Sequence, residues 1–146
     1  MKKTELIMGM PITVEIAEAG AQKDDIEEIF EYFKYVDEKF STYKDWSEVS
    51  KINRGEISAP DFSADMAEIF RLAEETKKET GGYFDITKPD GSVDPSGLVK
   101  GWAVHNAAKI LRDKGYKNFY VEAGGDIEAE GKNSEGKIWT VGIRNP

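Results

Sequence analysis

Cysteine is absent, and histidine occurs once, as His105. These two gaps remove whole classes of chemistry. No disulfide, thiolate nucleophile, Cys-based zinc site or His-rich metal centre can be built from this chain alone. Basic charge is in the minority, with 20 Lys and Arg against 28 Asp and Glu and a formal net charge of -8. An acidic balance of that size argues against a nucleic-acid surface, so no nucleic-acid partner is expected. It leaves room for a phosphate ligand, because a backbone nest or one lysine can hold phosphate inside an acidic protein. Long apolar runs are also missing. The opening Met1-Lys2-Lys3-Thr4-Glu5-Leu6-Ile7-Met8-Gly9 lacks the core of a signal peptide, and no membrane-spanning stretch follows.

What is present suits a folded domain. The chain has 146 residues, of which 39% are hydrophobic and 11% aromatic, enough for a real core. Residues 5–17 alternate, with Met10, Ile12, Val14 and Ile16 on one face, and this predicts a half-buried strand. Over 23–40 the period changes: Ile26, Ile29, Phe30, Phe33, Val36 and Phe40 form a helical stripe. Residues 41–62 are polar and turn-rich. A second helix is expected over 63–79, capped by Ser63 or Asp65 and stopped by Gly81-Gly82. A connector then leads to a third helix near 98–114. Strands are expected over 117–130 and 137–144, joined through residues 131–136. Helices and strands mix without βαβ alternation, which gives an α+β class.

Several turns have the composition of ligand sites. Gly91 through Gly101 runs small residues straight into a helix, where free N–H groups and the dipole favour an anion. Lys100 in the first turn is unfavourable for the dipole unless a phosphate offsets it. An ordinary N-cap with a surface lysine explains the same spacing. Thr80-Gly81-Gly82-Tyr83-Phe84-Asp85 pairs glycines with aromatics, and reads either as a ligand approach or as a helix C-cap before core aromatics. Glu122-Ala123-Gly124-Gly125-Asp126 reads as a bulge or a close approach. Asp85, Asp94 and Asp126 each sit beside such a turn and suit either a hard cation or Asx-turns. His105 has no identifiable catalytic partner and reads as a surface or packing residue.

The order of these blocks is more specific than any one of them. Met8-Gly9-Met10-Pro11, Phe40-Ser41-Thr42-Tyr43, Ser47 through Gly55, Thr80 through Asp85, Asp94 through Val104, Ala123 through Ile127 and Trp139 through Pro146 succeed one another along the whole chain. The series resembles the ApbE family of FAD:protein FMN transferases. The resemblance implies a mixed, mainly antiparallel sheet packed with helices. It implies Mg²⁺-dependent transfer of FMN from FAD to a Ser or Thr hydroxyl of an acceptor protein, with AMP leaving. Hydrolysis of FAD to FMN and AMP, or a non-catalytic flavin-binding scaffold, are the alternatives.

Carried over by position, the family's cofactor-binding residues fall on Met8, Tyr43, Tyr83, Phe84, Asp85, Asp94 and Lys100. The backbone carbonyl of Gly97 falls on a Mg²⁺ ligand. No residue of this chain is assigned a catalytic role. His105 stands where many members carry Asp, and it receives no role. The family continues past this point with a His-x-x-Asp-Pro segment and an Ala-Asp-x-x-x-Thr region that binds Mg²⁺. The chain is therefore expected to be the N-terminal part of a single truncated domain, inactive alone, with a second chain as one source of the remainder. Members are often anchored on the extracytoplasmic face of a membrane, and no anchor segment is recognised in this sequence.

Overall fold

The computed structural model describes residues 1–145; Pro146, which ends the last matched block, lies outside the described residues. The elements are β1 (Lys2–Ile7), β2 (Met10–Ile16), α1 (Lys23–Phe40), α2 (Glu48–Asn53), a 3-10 turn (Ala59–Asp61), α3 (Ala64–Glu79), α4 (Ser96–Asp113), β3 (Phe119–Ala123) and β4 (Asp126–Glu130). The strands form one sheet in the order β1-β2-β3-β4, with every neighbouring pair antiparallel. This is the expected α+β class. No helix of the described residues is long and apolar enough to cross a membrane. The chain divides into two compact units: Met1–Phe33 together with the stretch from Ala103 onward, and Lys34–Trp102.

The first unit is built on the sheet. Alternation along β2 and β3 places Ile12 opposite Ala123, Val14 opposite Val121 and Ile16 opposite Phe119, and all six are fully buried. Ile26, Ile29, Phe30 and Phe33 of α1 and Ala107, Ala108 and Leu111 of α4 complete the core. Burying one such large apolar side chain is worth about 1.5–3 kcal/mol. Polar ties close the rim. Lys114 reaches Asp25 at 2.8 Å and Glu28 at 2.6 Å, and the Tyr116 hydroxyl donates to Asp25 at 2.6 Å. Arg112 pairs with both Glu128 and Glu130.

Two turns of this unit differ from the sequence reading. The strand expected over 5–17 is a hairpin, β1 and β2, turning through Met8 (φ 58°) and Gly9 (φ 71°). Positive φ at both central residues is the type I′ turn, whose twist matches the flanking strands. Methionine is not a turn former, so the sequence hides it. The hairpin expected through 131–136 instead turns at Gly124 (φ 53°) and Gly125 (φ 98°), with Ala123 opposite Asp126. Those glycines are neither a bulge nor a mid-strand approach. Residues 137–144 form no strand; Ile138 makes one bridge to Lys132, and Trp139 packs edge-on against Tyr120 at 5.1 Å.

The second unit is helical. Val36, Phe40, Val49, Met66, Ile69, Ala73, Ile86, Val99 and Trp102 are its buried apolar residues, with Phe40 edge-on to Trp102 at 5.6 Å. The polar stretch 41–62 contains α2, too short to carry a periodic signal. Buried Ser47 makes it: its Oγ accepts from the Ser50 N–H at 3.0 Å and donates to the Ser41 carbonyl at 2.6 Å. Ser63 caps α3 as expected, accepting from Met66 N at 3.2 Å. At the other end Gly82 N donates to Lys77 O and Gly81 N to Lys78 O, with Gly81 at φ 62°. This is the Schellman stop that the paired glycines imply.

Candidate functional site

Seven of the eight residues singled out from the sequence lie in the helical unit; Met8 lies in the sheet unit. Their setting starts from the end of α3. The Schellman turn reverses the chain and throws Tyr83 outward, 96% exposed, while Phe84 turns inward. A Cβ on Gly97 would lie 3.6 Å from Phe84 Cε2. The Tyr83-Phe84-Asp85 segment is thereby held against the first turn of α4, which carries Gly97, with Lys100 at the start of the next turn. Between them residues 86–94 fold back as a small hairpin. Asp94 N donates to Ile86 O and Lys88 N to Ser92 O, both at 2.8 Å, and Thr87 faces Val93.

Asp85 opens this hairpin and Asp94 closes it. Asp85 accepts from the Thr87 backbone N–H at 2.9 Å and pairs with Lys77 at 3.2 Å. These contacts, the Thr87 N–H foremost, hold its carboxyl below the usual carboxylate range. For Asp94 burial works in the opposite direction. The Ser96 hydroxyl and backbone N–H outweigh it, and Lys88 at 3.9 Å adds to them, so this carboxyl too is lowered. Both groups are ionised at neutral pH and act only as acceptors. They suit ligand hydroxyls, N–H groups or a cation rather than a bare phosphate.

The helix start itself is partly occupied. Asp94 Oδ1 takes the Ser96 N–H at 3.1 Å, and the Leu98 and Val99 N–H groups donate to the Pro95 carbonyl. The anion met by the first N–H of α4 is therefore a side chain of the protein. Because α4 begins at Ser96 rather than near 98, half-buried Lys100 opens the second turn instead of lying in the first, and the dipole penalty expected for it is correspondingly smaller. The indole N–H of Trp102, two residues further along, is buried with no hydrogen-bond partner among the described residues.

Tyr43 is 96% exposed beyond the end of α1, its backbone N–H donating to Ser41 Oγ at 3.2 Å. Met8, half-buried, is the non-glycine residue with positive φ among the described residues. A left-handed backbone costs an L-residue roughly 1–2 kcal/mol, and such outliers gather at ligand-contacting positions. His105 is exposed, its Nδ1 3.1 Å from Glu128 Oε2, as a surface histidine should be. Among the described residues, no group of three or more His, Asp or Glu side chains is gathered to hold a metal. Gly97 offers only a backbone carbonyl, so these residues do not by themselves make a Mg²⁺ centre. Sequence reasoning passed over Asn53, whose side chain bonds twice to Val93. An Asn before Arg-Gly reads as a turn residue and gives no hint of that contact.

The comparisons agree with this architecture. The model of the ApbE family matches residues 8–89 and 87–146. The FAD:protein FMN transferase of Haemophilus influenzae is 29% identical over 173 aligned positions, covering 82% of this chain and 50% of the relative. That of Chlamydia muridarum is 26% identical, covering 92% and 58%. Among solved structures, a point mutant of the flavin transferase ApbE from Vibrio cholerae superposes with a TM-score of 0.89 at 22% identity, over all of this chain and 68% of that one. The ApbE protein from Thermotoga maritima gives 0.83 at 20% identity, over 99% and 63%. This chain thus spans about half the length of the Haemophilus relative. With the family's model matched from Met8 onward in two successive stretches, the chain belongs to the ApbE family.

Proposed function

We propose that this chain carries the nucleotide-holding part of an FAD:protein FMN transferase. The observation that carries the reading is the packing of Phe84 on Gly97. Residues 83–85 and 94–100 come from separate sequence blocks, and this contact sets them side by side in one unit. In this reading Tyr43 stacks on the adenine end of FAD, Tyr83 and Phe84 line the cofactor, and Asp85 and Asp94 accept from its hydroxyl and N–H groups. Lys100 meets the phosphates.

The reaction is displacement at phosphorus. A Ser or Thr hydroxyl oxygen of the acceptor protein bonds to the FMN phosphorus, the pyrophosphate P–O bond breaks, AMP leaves and the hydroxyl proton is released. Positioning and charge neutralisation dominate such chemistry. Mg²⁺ bound to the complete enzyme would neutralise charge on the pyrophosphate. One of its ligands falls on the Gly97 carbonyl; the others fall on polypeptide matching the rest of the relatives' length. In this reading the residues of this chain bind the nucleotide, and turnover needs the remaining Mg²⁺ ligands.

The test is a titration of FAD with and without Mg²⁺ and an acceptor peptide, with AMP, FMN and flavinylated peptide quantified. Binding without AMP release by this chain, and peptide flavinylation once the remaining part is supplied, are expected. FMN appearing without labelled peptide would favour the hydrolase. Flavin binding with neither product would leave a binding protein.

A further inference from the structure

The hairpin 86–94 is too small to hold itself. It has one facing pair, Thr87 and Val93, and the bonds that flank this pair run from Asp94 N to Ile86 O and from Lys88 N to Ser92 O. That pattern makes Thr87 and Val93 a non-hydrogen-bonded pair, so the N–H and C=O of Val93 point away from the hairpin, as on an open sheet edge. Asn53, the last residue of α2, meets both: Val93 N donates to its Oδ1 at 2.8 Å, and its Nδ2 donates to Val93 O at 3.0 Å. The side-chain amide stands in for a neighbouring strand at a position 40 residues away in sequence.

The match to the family's model also breaks at this point. The two stretches matched by the family's model meet at 87–89, inside this hairpin. The alignment to the Haemophilus relative runs over 173 positions, more than the 146 residues of this chain, so that relative has residues with no counterpart here. A stretch of the family omitted at the hairpin leaves such a break behind. In this chain Asp85 is joined to Asp94 by the tight turn Lys88-Pro89-Asp90-Gly91, closed by Gly91 N donating to Lys88 O.

We infer that Asn53 is a positioning residue of the nucleotide site, clamping the shortened hairpin so that its two terminal carboxylates, Asp85 and Asp94, are held ready for ligand. The inference rests on the reading of these carboxylates as FAD contacts. Asn53 touches no ligand itself; it acts through Val93, the residue before Asp94. Losing two hydrogen bonds to an exposed loop is enough to change its population of closed conformers by about tenfold.

The experiment compares the wild-type chain with Asn53→Ala, Asn53→Asp and Asp94→Ala. Amide hydrogen exchange is read at Lys88, Val93 and Asp94, and FAD affinity by quenching of flavin fluorescence. Asn53→Ala should speed exchange at Val93 about tenfold with Val121 in β3 unchanged, and weaken FAD by about the same factor. Asn53→Asp keeps an acceptor for the Val93 N–H and should fall between wild type and Ala in both readouts. Unchanged exchange in Asn53→Ala would overturn the clamp. Faster exchange with unchanged FAD affinity, while Asp94→Ala weakens binding, would overturn the positioning role and leave the FAD site standing. Intact binding in Asp94→Ala, or no FAD binding by the wild-type chain, would overturn the FAD reading and this inference with it.

Discussion

Tyr43 and Tyr83 allow the proposed site to be tested without disturbing the fold. Each is 96% exposed, so its ring buries almost nothing, and substituting a surface side chain of that kind changes stability by no more than about 0.5 kcal/mol. Stacking on an adenine or flavin ring is worth about 1–3 kcal/mol per aromatic side chain. At about 1.4 kcal/mol per decade, Tyr43→Ala or Tyr83→Ala should weaken FAD roughly 5- to 150-fold while the melting temperature moves by no more than about 2 °C. Fluorescence titration of FAD beside a thermal melt of the same sample reads both quantities. Phe84→Ala is the contrast: half-buried beside Gly97, it should lower affinity and stability together. Unchanged affinity in both tyrosine variants would refute the stacking role. A large fall in melting temperature would refute the claim that these rings are free of the fold.

Glycine substitutions separate steric from conformational cost. Gly131 (φ 68°) has no room, since a Cβ would lie 2.1 Å from Lys117 O and 2.4 Å from Asn118 Oδ1, which accepts from Lys132 N; Gly136 (φ 75°) has nothing within 4 Å. Gly136→Ala should cost about 1–2 kcal/mol, the left-handed penalty alone, and Gly131→Ala at least about 2 kcal/mol more in urea unfolding; equal costs would show that the 131–132 backbone shifts freely. The Asp25 carboxyl is held below its usual range by Lys114 first and by Tyr116. A lowered folded pKa contributes stability that is present above the unfolded value of about 3.9 and lost as pH falls through the folded one. Asp25→Asn should therefore flatten the loss of stability below about pH 4 in urea midpoints taken from pH 2 to 6, and an unchanged acid limb would remove Asp25 from that account.

The sequence by itself determined the long elements and the family. The stripe from Ile26 to Phe40, the Ser63 cap and the Gly81-Gly82 stop of α3, and the small-residue start of α4 are local signals, set by periodicity and by which residues tolerate which backbone, and each reappears in the structure. The family likewise follows from the order of short blocks. Tertiary structure decided where the chain turns and what the turns touch. Met8 in a left-handed turn is a choice that no methionine announces, and Gly124-Gly125 proved to be a hairpin turn because Phe119–Ala123 and Asp126–Glu130 pair across it. The pairing of Phe84 with Gly97 and the reach of Asn53 to Val93 join segments separated by loops. Side-chain periodicity carries no record of such contacts, because they depend on where whole helices pack. The residues of the candidate site could be named from the sequence, but the clamp that holds two of them in place belongs to the folded chain.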